Sequence, residues 1–455
     1  VNFDGGEDLL KRILIANRGE IARRIISTCK RIGIKTVVVY SEADYELPFV
    51  KEADVAVCIG KGPVQDSYLN AEKIIEVAKE YKVDAIHPGY GLLSENGDFV
   101  NQVEQAGITF IGPNAEILSL MGDKISARKT MIQAGVPVVP GLDEGIKDLG
   151  EAIHVAKEIG YPIMLKASGG GGGIGMVLCE TEQDLVAHFP KVVSRAKAYF
   201  KSENVFLEKY IENARHIEVQ IFGDKLGNFV HLFERNCSIQ RRNQKVVEEA
   251  LSPNISEETR KKLYLAALKA AKAVSYTNAG TIEFIVDEKE NIYFLEMNTR
   301  LQVEHPITEK ITGIDLVEWQ INIAKGLPIP VKQDEITANG CAIEFRVYAE
   351  NPKNFYPSPG KITELKWGNV TNARIDTGYE AGNTVTPFYD PLIAKVIFHE
   401  HTREECLQQA RKFFNETVIS GIQTNIPLFL HILEEPNFQN GQYTTNLLKV
   451  MKTKA

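Results

Sequence analysis

The chain has 455 residues, 44% of them hydrophobic, which predicts two to four domains with apolar cores. Its formal net charge of −8 argues against wholesale binding of nucleic acid, so any basic site should be local and suited to small anions. The six cysteines include no CxxC pair, which argues against a zinc site or a disulfide framework. Because the sequence has no signal peptide and no apolar run of transmembrane length, it predicts a cytoplasmic protein without a membrane anchor.

Residues 11–122 alternate short apolar strands with amphipathic helices, a pattern typical of a doubly wound α/β domain. Functional loops are expected at the carboxyl ends of such strands. The turn after the first strand lacks the spaced glycines of a dinucleotide fingerprint, so NAD binding is not predicted. The loop at residues 87–96 is rigid and polar; it either packs against the next domain or contacts a ligand. Strands are predicted at residues 13–16, 36–40, 85–87 and 110–111.

Residues 138–210 contain a strand ending at Lys166, followed by a run of glycines from Gly169 to Gly173. Such a run forfeits packing and costs backbone entropy, so it suits a flap whose N–H groups close over phosphates, with a mobile linker as the alternative. Lys166 would add a positive charge at a phosphate oxygen. The segment from Glu208 to Ile211 is either a hinge that contacts adenine or a plain strand end.

Residues 215–222 alternate strongly and predict a strand with His216, Glu218 and Gln220 on one face. Residues 240–249 are rich in hydrogen-bond donors. They form either a solvated face or an anion site that uses Arg241, Arg242 or Lys245. A helix is then predicted from residue 257 to about 274, with Ser256 as its N-cap.

Residues 281–297 predict a β-hairpin with its turn at residues 287–291. Glu283 and Glu296 lie among apolar residues, where a carboxylate needs a compensating cation. With Asn298 they make an oxygen site suited to Mg²⁺, whereas the alternative is a polar, solvent-facing hairpin. If the chain stays extended, Arg300, Gln302 and Glu304 share the face of Glu296, where the Arg could hold an oxyanion and the Glu could act as a general base.

After about residue 340 the chain turns to strands with Gly/Pro turns, followed by a helix at residues 403–416, which predicts a third, α+β domain. Arg346 lies in an apolar strand, so it should face an anionic partner.

Six motifs together resemble biotin carboxylase, an ATP-grasp enzyme that is a component of biotin-dependent carboxylases. The resemblance covers residues 11 to 450, and the motifs occur in the expected order. They are Ile15–Ala22, His87–Tyr90, the Gly169–Gly175 loop, Gln240–Arg242, Lys245–Glu249 and Glu296–Pro306. The resemblance implies an N-terminal doubly wound pre-ATP-grasp domain at residues 11–122 and an ATP-grasp domain at residues 123–338. The latter includes a glycine-rich lid subdomain at residues 138–210, and a C-terminal α+β domain follows at residues 339–450.

The resemblance also implies the chemistry: ATP-dependent carboxylation of biotin by bicarbonate through carboxyphosphate, as in the first half-reaction of acetyl-CoA carboxylase-type enzymes that feed fatty acid synthesis. Glu283, Glu296 and Asn298 would hold Mg²⁺ or Mn²⁺. Glu304 would deprotonate bicarbonate, and Arg346 would stabilise the biotin anion. Bicarbonate and biotin would be bound by Lys245, Arg300, Gln302, Val303 and Arg346. The implied ATP-binding residues are Lys124, Lys166, Gly171, Gly172, Gly173, Met176, Glu208, Lys209, Ile211, His216, Gln240 and Asn243.

The sequence departs from the family pattern in the flap, where Ile174 and Val177 stand in place of cations, and at Asn243 and Asn236. We expect weaker ATP affinity or altered flap closure, but no loss of chemistry. The alternatives are a silent nucleotide-binding paralogue and an ATP-grasp ligase for another acid, such as a carbamoyl-phosphate-forming domain. The resemblance further implies a separate biotin carboxyl carrier protein, separate carboxyltransferase subunits, and a homodimer with Arg24 at its interface.

Overall fold

The computed structural model describes residues 10–142, 144–146, 148–167, 175–200 and 204–454. It begins with a parallel five-stranded sheet in the order β3-β2-β1-β4-β5, flanked by helices, as the doubly wound pattern predicts. Its elements are β1 (Arg12–Ile15), α1 (Gly19–Arg31), β2 (Lys35–Ser41), α2 (Pro48–Glu52), β3 (Val55–Gly60), α3 (Ala71–Glu80), β4 (Ala85–His87), α4 (Gly97–Gln105), β5 (Thr109–Phe110) and α5 (Ala115–Gly122).

The strand order of this sheet reverses between β1 and β4, and loops at such a point form a crevice. The Asn17 side chain follows β1 and donates to the carbonyl oxygens of Pro88 at 2.7 Å and Tyr90 at 2.8 Å. These bonds tie the two loops together at the carboxyl edge of the sheet. The loop at residues 87–96 is thereby held rigidly at the mouth of a cleft.

The next region is a small subdomain with an antiparallel sheet in the order β7-β6-β8. Its apolar core includes Ile163, Leu165, Val205 and Leu207, all fully buried. The predicted flap residues Gly171, Gly172, Gly173 and Ile174 lie outside the described residues. The elements are α6 (Lys124–Gln133), which precedes the subdomain, and then α7 (Leu149–Ile159), β6 (Ile163–Ala167), β7 (Met176–Cys179), α8 (Glu182–Phe200) and β8 (Val205–Lys209).

An antiparallel eight-stranded sheet forms the centre of the molecule, in the order β13-β12-β9-β10-β11-β14-β19-β17. The strands after residue 340 join it through β14, which pairs with β11, so the central and C-terminal regions share one continuous sheet. Its first part contains β9 (Arg215–Gly223), β10 (Phe229–Arg241), β11 (Gln244–Ala250), α9 (Glu257–Ala273), β12 (Asn278–Val286), β13 (Ile292–Asn298), α10 (His305–Thr312) and α11 (Leu316–Ala324).

The C-terminal region adds strands at the other end of this sheet, two short two-stranded ribbons and four helices. The ribbons pair β15 with β18 and β16 with β20. The elements are β14 (Cys341–Tyr348), β15 (Gly360–Lys361), β16 (Glu364–Lys366), β17 (Arg374–Thr377), β18 (Thr384–Val385), β19 (Leu392–Glu400), α12 (Arg403–Glu416), β20 (Val418–Ser420), α13 (Ile426–Glu434), α14 (Pro436–Gln439) and α15 (Leu447–Lys454).

Local sequence explains several element boundaries that frame the site. Ser256 caps α9 by accepting from the Thr259 N–H, as predicted. Arg242 and Asn243 both have positive φ and form the two-residue turn between β10 and β11, where Asn tolerates the left-handed conformation. Among the described residues, no helix is both long and apolar enough to span a membrane.

Candidate active site

A cleft of about 1270 Å³ lies between the N-terminal sheet, the small subdomain and the eight-stranded sheet. That volume exceeds what one drug-sized ligand occupies, so the cleft can hold a nucleotide together with a second substrate. Glu304 lies behind the wall and is fully buried. The predicted residues that line the cleft are Lys124, Lys166, Met176, Glu208, Lys209, Ile211, His216, Gln240, Asn243, Lys245, Glu283, Glu296, Asn298, Arg300, Gln302, Val303 and Arg346.

The predicted hairpin is present as β12 and β13. Glu283 is paired with Glu296 across the strands, and Thr281 is paired with Asn298. The register shifts directly after Glu283, so that Phe284 pairs with Phe294. Because directly opposed residues of antiparallel strands share a face, the two carboxylates project into the cleft side by side.

Lys245 on β11 is the centre of a cluster of three carboxylates, which we call the lysine cluster. Its Nζ donates to Glu218 Oε2 at 2.5 Å, to Glu283 Oε1 at 2.7 Å and to Glu304 Oε1 at 2.7 Å. All three carboxylates are buried, so each needs this cation to offset its desolvation. The ammonium thereby fixes side chains that come from β9, β12 and the start of α10.

The electrostatics of the lysine cluster favour the charged forms of Lys245, Glu283 and Glu304, whereas burial raises the pKa of Glu218. Burial alone would raise the pKa of Glu304, but Lys245 and Arg346 hold it well below the usual range. Burial opposes ionisation of Glu283 in the same way, and Lys245 and His216 lower its pKa. Burial would lower the pKa of Lys245, but the three carboxylates raise it well above its ordinary value. At neutral pH Glu304 is therefore an ionised carboxylate that can accept a proton.

The segment after β13 departs from the sequence-based expectation. Arg300, Gln302 and Glu304 were to share the face of Glu296 only if the chain stayed extended, and that condition is not met. The strand ends at Asn298 and helix α10 starts at His305, with Glu304 at its N-cap position with φ −81° and ψ 10°. Glu304 still reaches the site, because the turn at residues 299–304 brings its carboxylate to 2.7 Å from Lys245 Nζ.

Two contacts hold this turn. The Lys395 ammonium, fully buried on β19, donates to the carbonyl oxygen of Val303 at 2.9 Å. Arg300 Nε donates to Glu95 Oε2 at 2.9 Å, so the loop at residues 87–96 touches the site. Gln302 Nε2 is buried and has no hydrogen-bond partner among the described residues, so it can donate to an acceptor in the cleft.

Arg346 on β14 faces two anionic partners, as its apolar strand requires. Its Nη2 lies 2.6 Å from Glu248 Oε1 and 2.9 Å from Glu304 Oε2. Glu304 therefore lies between Lys245 on one side and Arg346 on the other. The arrangement places one base between two cations that could also attract an anionic substrate.

The opposite side of the cleft carries Lys124, Lys166, Glu208 and Lys209, which are among the residues predicted to bind ATP. We call this side the nucleotide wall, and its ion pairs are separate from those of the lysine cluster. Lys124 Nζ lies 3.3 Å from Glu296 Oε2, and the ammonium of Lys166 contacts Glu208. The ammonium of Lys209 is engaged away from the cleft, because it donates at 2.9 Å to each of the carbonyl oxygens of Gly160 and Tyr161.

Of the three candidate cations on residues 240–249, only Lys245 joins the carboxylates. Arg241 pairs with Glu350 at 2.7 Å, and Arg242 donates to the carbonyl oxygen of Asn354 at 3.1 Å. His216 lies near the carboxylates, with Nε2 2.8 Å from Glu283 Oε2, while its Nδ1 contacts the Gln240 amide at 2.7 Å. His216, which was predicted to bind ATP, therefore lies next to Glu283, one of the predicted metal ligands.

The donor set at the hairpin fits a hard divalent cation. Glu283 and Glu296 supply carboxylate oxygens, and the Asn298 amide donates to Glu283 Oε1 at 2.8 Å while its Oδ1 accepts from Arg300 at 3.3 Å. Oxygen ligands of this kind are those that Mg²⁺ prefers. The residues therefore suit the predicted metal, with Lys124 and Lys245 neutralising the same carboxylates in this structure.

Sequence reasoning missed four residues that hold the site. Arg235 is fully buried on β10 and donates to Glu218 at 2.5 Å, Gln220 at 2.8 Å and Thr308 at 2.9 Å. The strand periodicity had placed Glu218 on the face of His216, but it gave no partner. The β10–β9 pairing contains a bulge, which local alternation does not reveal. The other missed residues are Glu95, Lys395 and Glu248.

The fold and cleft define an ATP-grasp type of protein, with a nucleotide cleft between a small subdomain and a larger sheet. Three family models match the chain. "Biotin carboxylase, N-terminal domain" matches residues 9–118, and "Carbamoyl-phosphate synthase L chain, ATP binding domain" matches residues 123–332. "Biotin carboxylase C-terminal domain" matches residues 344–450.

Relatives match over nearly the whole chain. Biotin carboxylase 2 of Bacillus subtilis is 54% identical over 97% of this chain and 99% of its own. The biotin carboxylase domain dimer of Hydrogenobacter thermophilus 2-oxoglutarate carboxylase, solved in complex with MgADP, ADP and bicarbonate, has a TM-score of 0.95. It is 47% identical and covers 98% of each chain. A biotin carboxylase–beta-gamma-ATP complex from Campylobacter jejuni also has a TM-score of 0.95, at 45% identity over 97% of this chain and 99% of its own.

The chain belongs to the biotin carboxylase family. The predicted family, the predicted fold class and the predicted enzyme class, a ligase, are thereby confirmed. The silent paralogue is not supported, because the relatives at this identity are named as enzymes.

Proposed function

We propose that this chain catalyses the ATP-dependent carboxylation of biotin by bicarbonate, with the biotin carried on a separate protein. The observation that carries the proposal is the position of Glu304, an ionised carboxylate between Lys245 and Arg346 at the end of the cleft. The relatives add support, since one of them is described with MgADP and bicarbonate.

Bicarbonate would bind where cations and free donors converge. Lys245, Arg300 and Arg346 supply positive charge on the cleft wall, and Gln302 supplies a buried Nε2 donor that has no acceptor among the described residues. The N–H of Val303 is the remaining donor we assign. Lys395 supports this assignment because it fixes the Val303 carbonyl and hence the orientation of the turn.

The first step would transfer the bicarbonate proton to Glu304 while a bicarbonate oxygen attacks the γ-phosphorus of ATP. The bond from the γ-phosphorus to the β–γ bridging oxygen breaks, so ADP leaves and carboxyphosphate forms. Glu304 is a weak base while two cations hold it. When a substrate anion binds to Lys245 and Arg346, it competes with Glu304 for these cations. The pKa of Glu304 then rises, and Glu304 becomes a stronger base.

Carboxyphosphate would then release CO₂ and phosphate, and the phosphate would take the ureido proton of biotin. Arg346 would stabilise the resulting anion, whose nitrogen attacks CO₂ to give carboxybiotin. Mg²⁺ held by Glu283, Glu296 and Asn298 would neutralise and orient the phosphates. Exclusion of water matters because carboxyphosphate hydrolyses readily.

The nucleotide would lie along the nucleotide wall. Lys124, Lys166 and His216, which line the cleft, would contact its phosphates. Glu208, Lys209 and Ile211 line the adenine end, where Lys209 would act through its backbone because its ammonium is engaged. Met176, Gln240 and Asn243 complete the wall.

The partners follow from the same chemistry. Carboxybiotin needs a carrier protein and a carboxyltransferase, and the transferase would choose the acyl acceptor. For an acetyl-CoA carboxylase-type enzyme this reaction feeds fatty acid synthesis.

We propose a homodimer, by analogy with the relative described as a dimer. Arg24, the residue predicted at the dimer interface, borders a polar depression on the protein surface. Its guanidinium pairs within the chain with Glu309 at 2.6 Å and Asp315 at 2.9 Å.

The six cysteines are all free, which favours a reducing, cytoplasmic location.

The test is transfer of labelled bicarbonate to free biotin in the presence of Mg-ATP, with ATP omitted as the control. We expect an acid-labile, biotin-dependent labelled product formed in step with ADP. Formation of ADP and labelled carbamoyl phosphate when ammonia is supplied, without labelled biotin, would instead support a carbamoyl-phosphate-forming ligase.

A further inference from the structure

Arg346 is held by a second carboxylate that the proposed mechanism leaves unused. Glu248 lies on β11 and is fully buried, and its Oε1 is 2.6 Å from Arg346 Nη2. The same nitrogen reaches Glu304 at 2.9 Å. Arg346 is thus suspended between the proposed base and a carboxylate that does not line the cleft.

The position of Glu248 in the sheet makes it a fixed anchor. It is paired across the strands with Glu344 on β14, two residues before Arg346. Both carboxyl groups are fully buried, and neither makes a hydrogen bond among the described residues. What distinguishes Glu248 is its ion pair with Arg346. Since a buried carboxylate needs a cation beside it, Arg346 favours the ionised form of Glu248, and ionised Glu248 in turn fixes where the guanidinium lies.

The consequence concerns the two halves of the reaction. When a substrate anion competes for Arg346, the contact to Glu304 is the one that must yield, because Glu304 is the base that takes up the proton. We propose that Glu248 is the positioning residue that holds Arg346 in place for the biotin half of the reaction. This inference rests on the proposed function and adds a residue to it.

The protonation of Glu248 supplies an independent signature. Burial raises the pKa of this carboxyl to about 7, with Arg346 lowering it and Glu304 raising it. The groups that face it are Arg346 and Glu344 on β14, Glu304 at the start of α10 and Lys245 on its own strand. Only the ionised form can hold a guanidinium, so biotin-dependent turnover should rise with pH around pH 7 and lose this limb in Glu248→Gln.

The experiment measures ADP formation by the full chain with Mg-ATP and bicarbonate, with and without free biotin as the probe. For Glu248→Gln we expect the biotin-dependent kcat/KM to fall by about 100-fold, the scale of a misplaced catalytic group. Biotin-independent ADP formation should fall less, because Lys245 and Arg300 on the cleft wall also bind bicarbonate in the proposed step. Glu344→Gln is the matched control: an equally buried neighbour without contact to Arg346, where both reactions should persist. Glu248→Asp, which keeps the charge, should recover part of the loss.

Three results would overturn the inference. The first is unchanged biotin-dependent turnover in Glu248→Gln. The second is an equal loss of both reactions in Glu248→Gln and Glu248→Asp, which would show a purely structural role. The third is a pH limb that survives in Glu248→Gln. A wild-type chain with no biotin stimulation at all would fail earlier, and it would overturn the proposed function rather than the role of Glu248 alone.

Discussion

The two sides of the cleft hold their charges in different ways. In the lysine cluster, Lys245 binds three buried carboxylates, and a second cation, Arg346, shares Glu304. On the nucleotide wall, two lysines each have one carboxylate neighbour: Lys124 has Glu296, and Lys166 has Glu208, which Arg128 also approaches at 3.4 Å. The lysine cluster is built into the eight-stranded sheet and α10, whereas Lys166 and Glu208 belong to the small three-stranded subdomain.

The difference indicates a division of labour. A buried network is rigid because removing any member leaves other charges unpaired, which suits a site that must place a base within hydrogen-bond reach. Lys166 has one carboxylate partner, and Glu208 keeps Arg128 nearby when Lys166 turns to a phosphate, which suits a nucleotide that enters and leaves. Substitutions in the lysine cluster should therefore reduce turnover and stability, and substitutions on the nucleotide wall should reduce affinity.

Among the substitutions that test the comparison of the two sides, Lys245→Met should have the largest effect. The change removes the cation shared by Glu218, Glu283 and Glu304, together with a donor to bicarbonate, so kcat should fall by roughly 1000-fold, the scale of a lost preorganised electrostatic contact. Steady-state ADP formation at saturating ATP measures it. A change confined to the KM for ATP would contradict the comparison, because it would assign Lys245 to the nucleotide wall.

Arg235→Leu should chiefly reduce stability. Arg235 is fully buried and holds β9 and α10 together through Glu218, Gln220 and Thr308. Loss of a cation from a buried pair costs about 4 kcal/mol in the free energy of unfolding. Denaturant unfolding measures it, with Lys73→Met as the control, since Lys73 pairs with Glu76 on an exposed helix face. An Arg235→Leu chain as stable as the wild type would mean that the buried network adds no rigidity.

Lys166→Met should raise the KM for ATP with little change in kcat. The lysine makes one charge-assisted contact, and loss of such a contact weakens binding by about tenfold. Nucleotide titration of the protein, beside the same measurement on Lys209→Met, separates a phosphate contact from a structural one, because the ammonium of Lys209 serves backbone carbonyls. A loss of kcat without a change in nucleotide affinity would place Lys166 in the chemical step instead.

The sequence predicted the sites that depend on local periodicity and missed those that depend on register across strands. Strand alternation was enough to bring Glu283 opposite Glu296, and a charge in an apolar strand was enough to require a partner for Arg346. Strand alternation could not place Glu304, because nothing in an alternating pattern signals that the strand ends at Asn298. Arg235, Glu248 and Lys395 act across strand pairs that are distant in sequence, so single-segment patterns could not assign their partners.

Ile174→Arg should have the smallest effect. The substitution restores a cation to the flap, where the family pattern has one. It should strengthen the binding free energy of ATP by a few tenths to about 1 kcal/mol, the range for an exposed charge pair. Nucleotide titration measures it, and Ile174→Gln controls for added polarity without charge. Equal affinity of Ile174→Arg and the wild type would show that the flap cation has no role in this chain.

The most direct test of the central claim is ADP formation with Mg-ATP and bicarbonate, with and without free biotin, in the wild type and in Glu304→Gln. We expect biotin to stimulate the wild type, and we expect the substitution to abolish turnover in both conditions by removing the base while ATP still binds. Biotin-stimulated ADP formation that persists in Glu304→Gln would contradict the assignment of the base and, with it, the role given to the lysine cluster.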